Sequence, residues 1–311
     1  MSTKELSLSF SDLTNKESNE NAAVDFIKAD DGISLAYYSF IPQKPLAGLI
    51  FYHGGGAHCG AGYKTIGYRL STEYQVAVYL IDIRGHGKSG GPRGDATSVI
   101  HVYKDITTMI LHLRSRLNKH KIFLGGHSSG AGLVLNYSSW NNKESVDGYV
   151  FLAPNLGYRS KTERSFLNNN KRSFSTKNLQ NIILYDMSNG MFFGHERAVC
   201  FNYPKEILES DHLIVPYNTV IMARALTPND PHKQIALIDK PFGLWIGSKD
   251  ELFDPPNVVS LVDKEKAIHS NSEVGIISGA THLSILLNGY RYIGEWMNKC
   301  VKQSHNKSAG N

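Results

Sequence analysis

The chain has little cysteine. Cys59, Cys200 and Cys300 are the only three in 311 residues, far apart and odd in number. No C-x-x-C pair and no Cys/His ligand spacing occurs, which excludes a disulfide scaffold and a zinc module and reads as free thiols in a reducing compartment. No run of about 18 apolar residues exists, so no transmembrane helix is predicted. The opening "MSTKELSLSFSDLTNKESNE" lacks the apolar core of about 7–15 residues that a secretory signal needs. The expectation is a soluble, cytoplasmic protein. Charge of one sign is also scarce: 33 basic against 28 acidic residues give a net +5, too balanced to imply a nucleic-acid partner. No internal repeat is visible.

What is there is enough chain for a sizeable core, 41% hydrophobic and 20% charged. Residues 1–20 read as a flexible N-terminal arm, rich in Ser, Asn and charge. Asp31-Gly32, between two short apolar stretches, signals a hairpin. "GLIFYHGGG" and "VAVYLID" are continuous apolar runs that suit strands buried on both faces. "AGYKTIGYRLSTEY" between them suits a crossover helix. Residues 98–119 carry Val102, Ile106, Ile110, Leu113 and Leu117 at helical spacing, with Thr97 or Ser98 as N-cap. A strand "KIFLGG", a helix over 129–140 and a strand "GYVFLAP" follow. Strands alternating with helices imply a mostly parallel central sheet flanked by helices.

The alternation lapses after Pro154 and resumes with "PFGLWIG", "EVGIISG" and a last helix at about 284–300 that places Leu286, Tyr290, Ile293, Met297 and Cys300 on one face. The expected organisation is a core of 21–154 and 241–303, a cap at 155–240 inserted after the sixth strand, and a polar tail at 304–311.

"GHSSG" at 126–130 fits G-x-S-x-G between a strand and a helix, with Ser128 in the middle. The flanking glycines permit a sharp turn that exposes the serine, and the Ser129 N–H falls at a helix N-terminus, where it can stabilise an oxyanion. A serine hydroxyl needs a base that is itself oriented by an acid. Asp250 follows one late strand, with Glu251 and Asp254 as rivals, and His282 follows the next. That is the chain order Ser, acid, His. In "YHGGGAH", Gly55 is the expected second oxyanion donor, with Gly54 as rival; His53 braces the loop and His58 lines the pocket. "DIRGHGKSGGPRG" at 82–94 fits no phosphate-loop pattern and reads as a structured connection.

With "HGGGAH", "DIRGHGKSGGPRG", "GGHSSGAG", "GSKDELFD" and "SGATHLS" in order between residues 50 and 283, the sequence resembles the α/β-hydrolase superfamily, and within it the monoacylglycerol lipase/lysophospholipase-like (serine aminopeptidase S33-like) group. The resemblance implies an α/β-hydrolase fold, Ser128 as nucleophile, Asp250 as acid, His282 as base and backbone donors at Gly55 and Ser129. It implies a serine esterase acting through an acyl-enzyme on a single-chain lipid or small ester, with no metal or cofactor. Amide or peptide hydrolysis, acyl transfer and a non-catalytic binding role are the alternatives at this point. Met187, Met191 and Phe192 of the cap, with His58, are the candidate substrate contacts. The same apolar cap residues could instead touch a membrane surface or pack on the core. The six basic residues between Arg159 and Lys177, opposed only by Glu163, read as a solvated loop or an attractor of anionic lipid.

Overall fold

The continuous apolar runs become the middle of one twisted sheet. In the computed structural model, which describes Leu8 and residues 22–164, 173–266 and 271–308, a hairpin of β1 (Val24–Lys28) and β2 (Ser34–Phe40) leads into β3 (Ala47–Tyr52), α1 (Lys64–Tyr74), β4 (Val76–Ile81), α2 (Val99–Leu117), β5 (Lys121–His127), α3 (Ser129–Ser138) and β6 (Gly148–Leu152). The insertion then contributes β7 (Ser175–Lys177), α4 (Leu179–Met187), β8 (Arg197–Phe201), α5 (Lys205–Ser210), β9 (Tyr217–Thr219), α6 (Val220–Leu226) and α7 (Pro231–Ala236). The chain returns with β10 (Phe242–Gly247), α8 (Pro255–Lys266), β11 (Glu273–Ile277) and α9 (Ile285–Ser308).

The large sheet has the order β1-β2-β4-β3-β5-β6-β10-β11. Its first two pairings are antiparallel and the rest parallel. Alternate residues of a strand feed different core layers, as the period of two requires. Ile50 and Tyr52 of β3, with Tyr79 and Ile81 of β4, pack with α2 and α3. Leu49 and Phe51, with Val78 and Leu80, pack with α1 and α9. Burial on both faces explains why these strands carry no polar alternation. The side chain of Ser98 caps α2 by accepting from the His101 N–H, and the five apolar residues expected on that helix are all buried.

The insertion follows the sixth strand and builds its own three-stranded antiparallel sheet, β7-β8-β9. Nothing in the sequence announced it, because two of its strands have three residues each. Two differences from expectation appear at the ends. Most of the N-terminal arm lies outside the described residues, but Leu8 is not loose: it is 4% exposed and packs against Phe174 and Leu283. At the other end α9 runs to Ser308, past Cys300 where its apolar repeat stops, so the backbone of 304–308 is helical rather than a tail. Residues 309–311 lie outside the described residues.

Candidate active site

Ser128 sits between β5 and α3 with φ +53°, a backbone conformation that disfavours any side chain other than glycine. Three backbone hydrogen bonds hold it there. Its N–H donates to the Leu152 carbonyl at 3.0 Å, and its own carbonyl accepts from Gly132 and Asn155 at 3.1 and 3.0 Å. The glycines of the motif are fixed by contact. A Cβ on Gly126 would meet Gly130 backbone at 2.4 Å, and one on Gly130 would meet the His53 carbonyl oxygen at 2.4 Å. The turn folds back on itself and against the end of β3, leaving no space for a methyl group.

His282, in the loop after β11, places Nε2 3.0 Å from Ser128 Oγ. Its Nδ1 lies 2.8 Å from Asp250 Oδ2 in the loop after β10. A carboxylate can only accept, so Nδ1 carries the hydrogen and the Nε2 lone pair faces the serine. The second Asp250 oxygen accepts from the Leu252 and Phe253 amides at 2.9 and 2.8 Å. All three side chains are buried. Of the rivals to Asp250, Glu251 accepts from the His282 backbone N–H at 2.8 Å, while Asp254 accepts from the Asn257 N–H in the first turn of α8. The sharp apposition of Asp250 with the imidazole thus belongs to that residue among the three.

Gly55 and Ser129 both line a cavity of about 480 Å³ that opens beside Ser128. Among the described residues the amides of both lack a protein acceptor, whereas the Gly54 N–H donates to Tyr63 Oη at 2.7 Å. His53 donates from Nδ1 to the Gly54 carbonyl at 2.8 Å and accepts from the Ile83 N–H at 3.0 Å, and burial lowers its pKa to about 3. It braces the loop as a neutral ring.

The expected substrate contacts need correction. His58 is absent from the cavity wall and reaches away to Asp211 of the insertion, 2.7 Å distant. Met187, Met191 and Phe192 are 76%, 73% and 64% exposed and face outward. The inner face of α4 is instead Ile182 and Tyr185, which pack on Ala198, Val220 and Ala223. Helical periodicity finds an apolar stripe but does not say which side of a small cap it faces. The residues that do wall the cavity from the insertion include Phe174, Val199, Phe201 and Ala223, with Leu252 and Phe253 from the core. No motif or periodicity marks Phe174 or Tyr203, whose hydroxyl holds the Gly55 carbonyl at 3.0 Å.

The basic segment is partly engaged rather than free. Arg164 donates from Nε to the Asp250 and Phe253 carbonyls, and Lys177 pairs with Glu163. Lys171 and Arg172 lie outside the described residues. The 82–94 loop is a structured connection. His86 contacts Asn218, Arg93 donates to the Leu213 carbonyl, and Gly94 lies so close to Tyr217 that a Cβ would meet its carbonyl oxygen at 2.1 Å. It thus carries the insertion on the core.

Residues 43–286 match the family described as serine aminopeptidase, S33. A Schizosaccharomyces pombe protein named "Putative monoglyceride lipase" is 34% identical over 132 residues, 41% of this chain and 34% of that one, so the match spans about a third of the relative's length. Among solved structures, a soluble variant of Saccharomyces cerevisiae monoglyceride lipase in complex with a substrate analog superposes with a TM-score of 0.67 at 17% identity, covering 90% of this chain and 96% of the other. Paleococcus ferrophilus monoacylglycerol lipase does so at 0.58 and 24%, covering 86% and 98%. At these identities the structural likeness speaks for the α/β-hydrolase fold, which the mostly parallel eight-stranded sheet also displays. With the match extending over most of its length, the chain belongs to the serine aminopeptidase S33 family.

Proposed function

We propose that the protein is a serine ester hydrolase of the monoacylglycerol lipase type, with Ser128 as nucleophile, His282 as base, Asp250 as orienting acid, and the Gly55 and Ser129 amides as oxyanion donors. The single observation that carries this reading is the unbroken line Asp250–His282–Ser128, with bonds of 2.8 and 3.0 Å, ending at a cavity lined by Gly55 and Ser129, whose amides have no acceptor among the described residues. The segment 155–240 serves as the cap, since it supplies most of the cavity's apolar wall.

Chemistry follows from the geometry. Ser128 Oγ attacks the ester carbonyl as His282 Nε2 takes its proton, and the carbonyl π pair moves onto oxygen. The two amides stabilise that oxygen at no reorganisation cost. Collapse breaks the bond to the alcohol, which leaves with the proton from Nε2. Water, losing a proton to His282 Nε2, then attacks the acyl-enzyme; the acyl–Oγ bond breaks, the carboxylic acid leaves, and Ser128 takes the proton back. Asp250 holds the imidazole in one tautomer and stabilises its cation.

A cavity of about 480 Å³, walled by Phe174, Phe201 and Leu252, favours a small ester or one with a single acyl chain. The names of the relatives point the same way. A panel of p-nitrophenyl esters of rising chain length, monoacylglycerol, lysophosphatidylcholine and aminoacyl-anilides tests this. Turnover of the monoacylglycerol or medium-chain esters is expected. A preference for the anilides would overturn the ester reading in favour of amide hydrolysis.

The insertion also has a surface suited to a lipid interface. Leu179, Ile183 and Met187 form one ridge of α4, and all three are exposed together with Met191 and Phe192. Among the described residues no helix is long and apolar enough to cross a membrane. We propose that this ridge rests on the membrane surface, where a lipid ester would be delivered. Flotation with phosphatidylcholine vesicles should carry the wild type and leave an Ile183→Asp/Met187→Asp variant behind. Equal flotation of both would refute it.

A further inference from the structure

Behind Ser128 lies a second line of polar groups that the reaction itself does not use. His127 Nε2 is 2.9 Å from the backbone carbonyl oxygen of His282. A carbonyl only accepts, so Nε2 carries the hydrogen. Burial, with His282 beside it, holds the pKa of His127 well below the ordinary imidazole value, so the ring is neutral and Nδ1 has a lone pair. Tyr63 Oη lies 2.8 Å from that Nδ1 and therefore donates to it. The same phenol oxygen accepts from the Gly54 N–H at 2.7 Å. Each direction is forced by the one before. The line runs from Gly54 N–H through Tyr63 and His127 to the His282 carbonyl.

We infer that Tyr63 and His127 are positioning residues, tying the oxyanion loop to the backbone of the base across the nucleophile; this rests on the roles proposed above for Ser128, His282 and Gly55. Three features support a role beyond filling space. The line is packed against the nucleophile itself, since a Cβ on Gly54 would meet Tyr63 Oη at 3.1 Å, Ser128 Cβ at 3.2 Å and His127 Nδ1 at 3.4 Å. It occupies the Gly54 N–H, so of the two rival donors Gly54 and Gly55 only the latter is left without an acceptor among the described residues. With the His53 bond to the Gly54 carbonyl, it clamps Gly54 at both ends. In a trans peptide the carbonyl and the following N–H point opposite ways, so fixing the Gly54 carbonyl aims the Gly55 amide. The far end of the line fixes where His282 starts, and hence how far Nε2 stands from Oγ.

The test is a cycle of Tyr63→Phe, His127→Asn and the double variant, assayed with a short p-nitrophenyl ester and with a trifluoromethyl ketone that forms a tetrahedral adduct. Each single variant should lower kcat about 10- to 100-fold with KM within about threefold. Adduct affinity should fall by the same factor as kcat/KM. The double variant should be no worse than the poorer single one, because both cut one line. Unchanged kcat, a loss confined to KM, or effects that multiply would overturn the inference. Should the variants not fold, ¹⁵N spectra of the wild type decide. Expected is a neutral His127 with its hydrogen on Nε2 from about pH 5 to 8; a protonated ring or the other tautomer would overturn it. Inactivity of the wild type on all esters would instead strike at the proposed function, and Ser128→Ala provides the same reference.

Discussion

His282 Nε2 stands 3.0 Å from Ser128 Oγ although the two residues are 154 positions apart. They belong to loops after β5 and β11, and β6 and β10 lie between those strands in the sheet. The contact therefore exists only when the whole right half of the sheet is assembled. Replacing His282 with alanine should lower kcat by about 10⁴-fold or more while leaving the folded state intact by circular dichroism. Near-normal turnover would refute its role as base.

Asp250 and Glu251 are adjacent carboxylates with different partners. Asp250 faces the imidazole, and Glu251 holds the backbone N–H of His282. Asp250→Asn should cost kcat about 10³- to 10⁴-fold, because the amide no longer selects the needed tautomer. Glu251→Gln keeps a carbonyl acceptor and should cost less than about tenfold. Steady-state kinetics on the two variants check this, and a reversed order would make Glu251 the acid.

Gly130 has no room for a side chain, since the obstructing atoms are the backbone oxygens of Tyr52 and His53. Gly130→Ala must push β3 or α3 aside, at a cost of about 1–3 kcal/mol or more. The expected result is a lower urea midpoint and loss of activity together. A variant as stable and active as the wild type would contradict the packing described for the turn.

Acid should destabilise the fold. Burial holds His53 and His86 at about 3 and His127 well below its ordinary value. On unfolding, these rings take up protons below about pH 6.5. Between about pH 3 and 6.5 the unfolded chain binds more protons than the folded one, so stability falls as pH falls, each ring contributing about 1.4 kcal/mol per pH unit. Asp105 works in the opposite sense. Its pKa is raised to about 6 by burial, against the lowering effect of Arg84, so below that pH it offsets roughly one of the three rings. Urea titrations at about pH 7 and pH 5 should show a clear loss of stability on acidification. Equal or greater stability at the lower pH would contradict the neutral, buried state of these histidines.

Much of the core could be read from the sequence because each central strand is buried on both faces and so appears as an unbroken apolar run. The Ser128 turn was legible for a similar local reason: both glycines answer to contacts within the motif or with the neighbouring strand. The place of the insertion was legible too, from the lapse in alternation, but its internal structure was not. Its strands are too short to show a period, and Leu179, Ile183 and Met187 make as good an apolar stripe outward as Ile182 and Tyr185 make inward. Partnerships set by tertiary packing were also invisible. His58 looks like a pocket residue beside "HGGG", yet it bonds Asp211, 153 positions away. Tyr63 and His127 carry no motif that links them. Leu8 lies in a polar stretch and gave no sign that it would be buried beside Leu283.

The most direct test is labelling with a fluorophosphonate, followed by mass spectrometry of the modified peptide. Wild type should gain one adduct, on Ser128, at a rate that collapses in His282→Ala, and Ser128→Ala should gain none. An adduct on Ser129 or elsewhere, or equal labelling of wild type and Ser128→Ala, would contradict the assignment of Ser128 as the nucleophile.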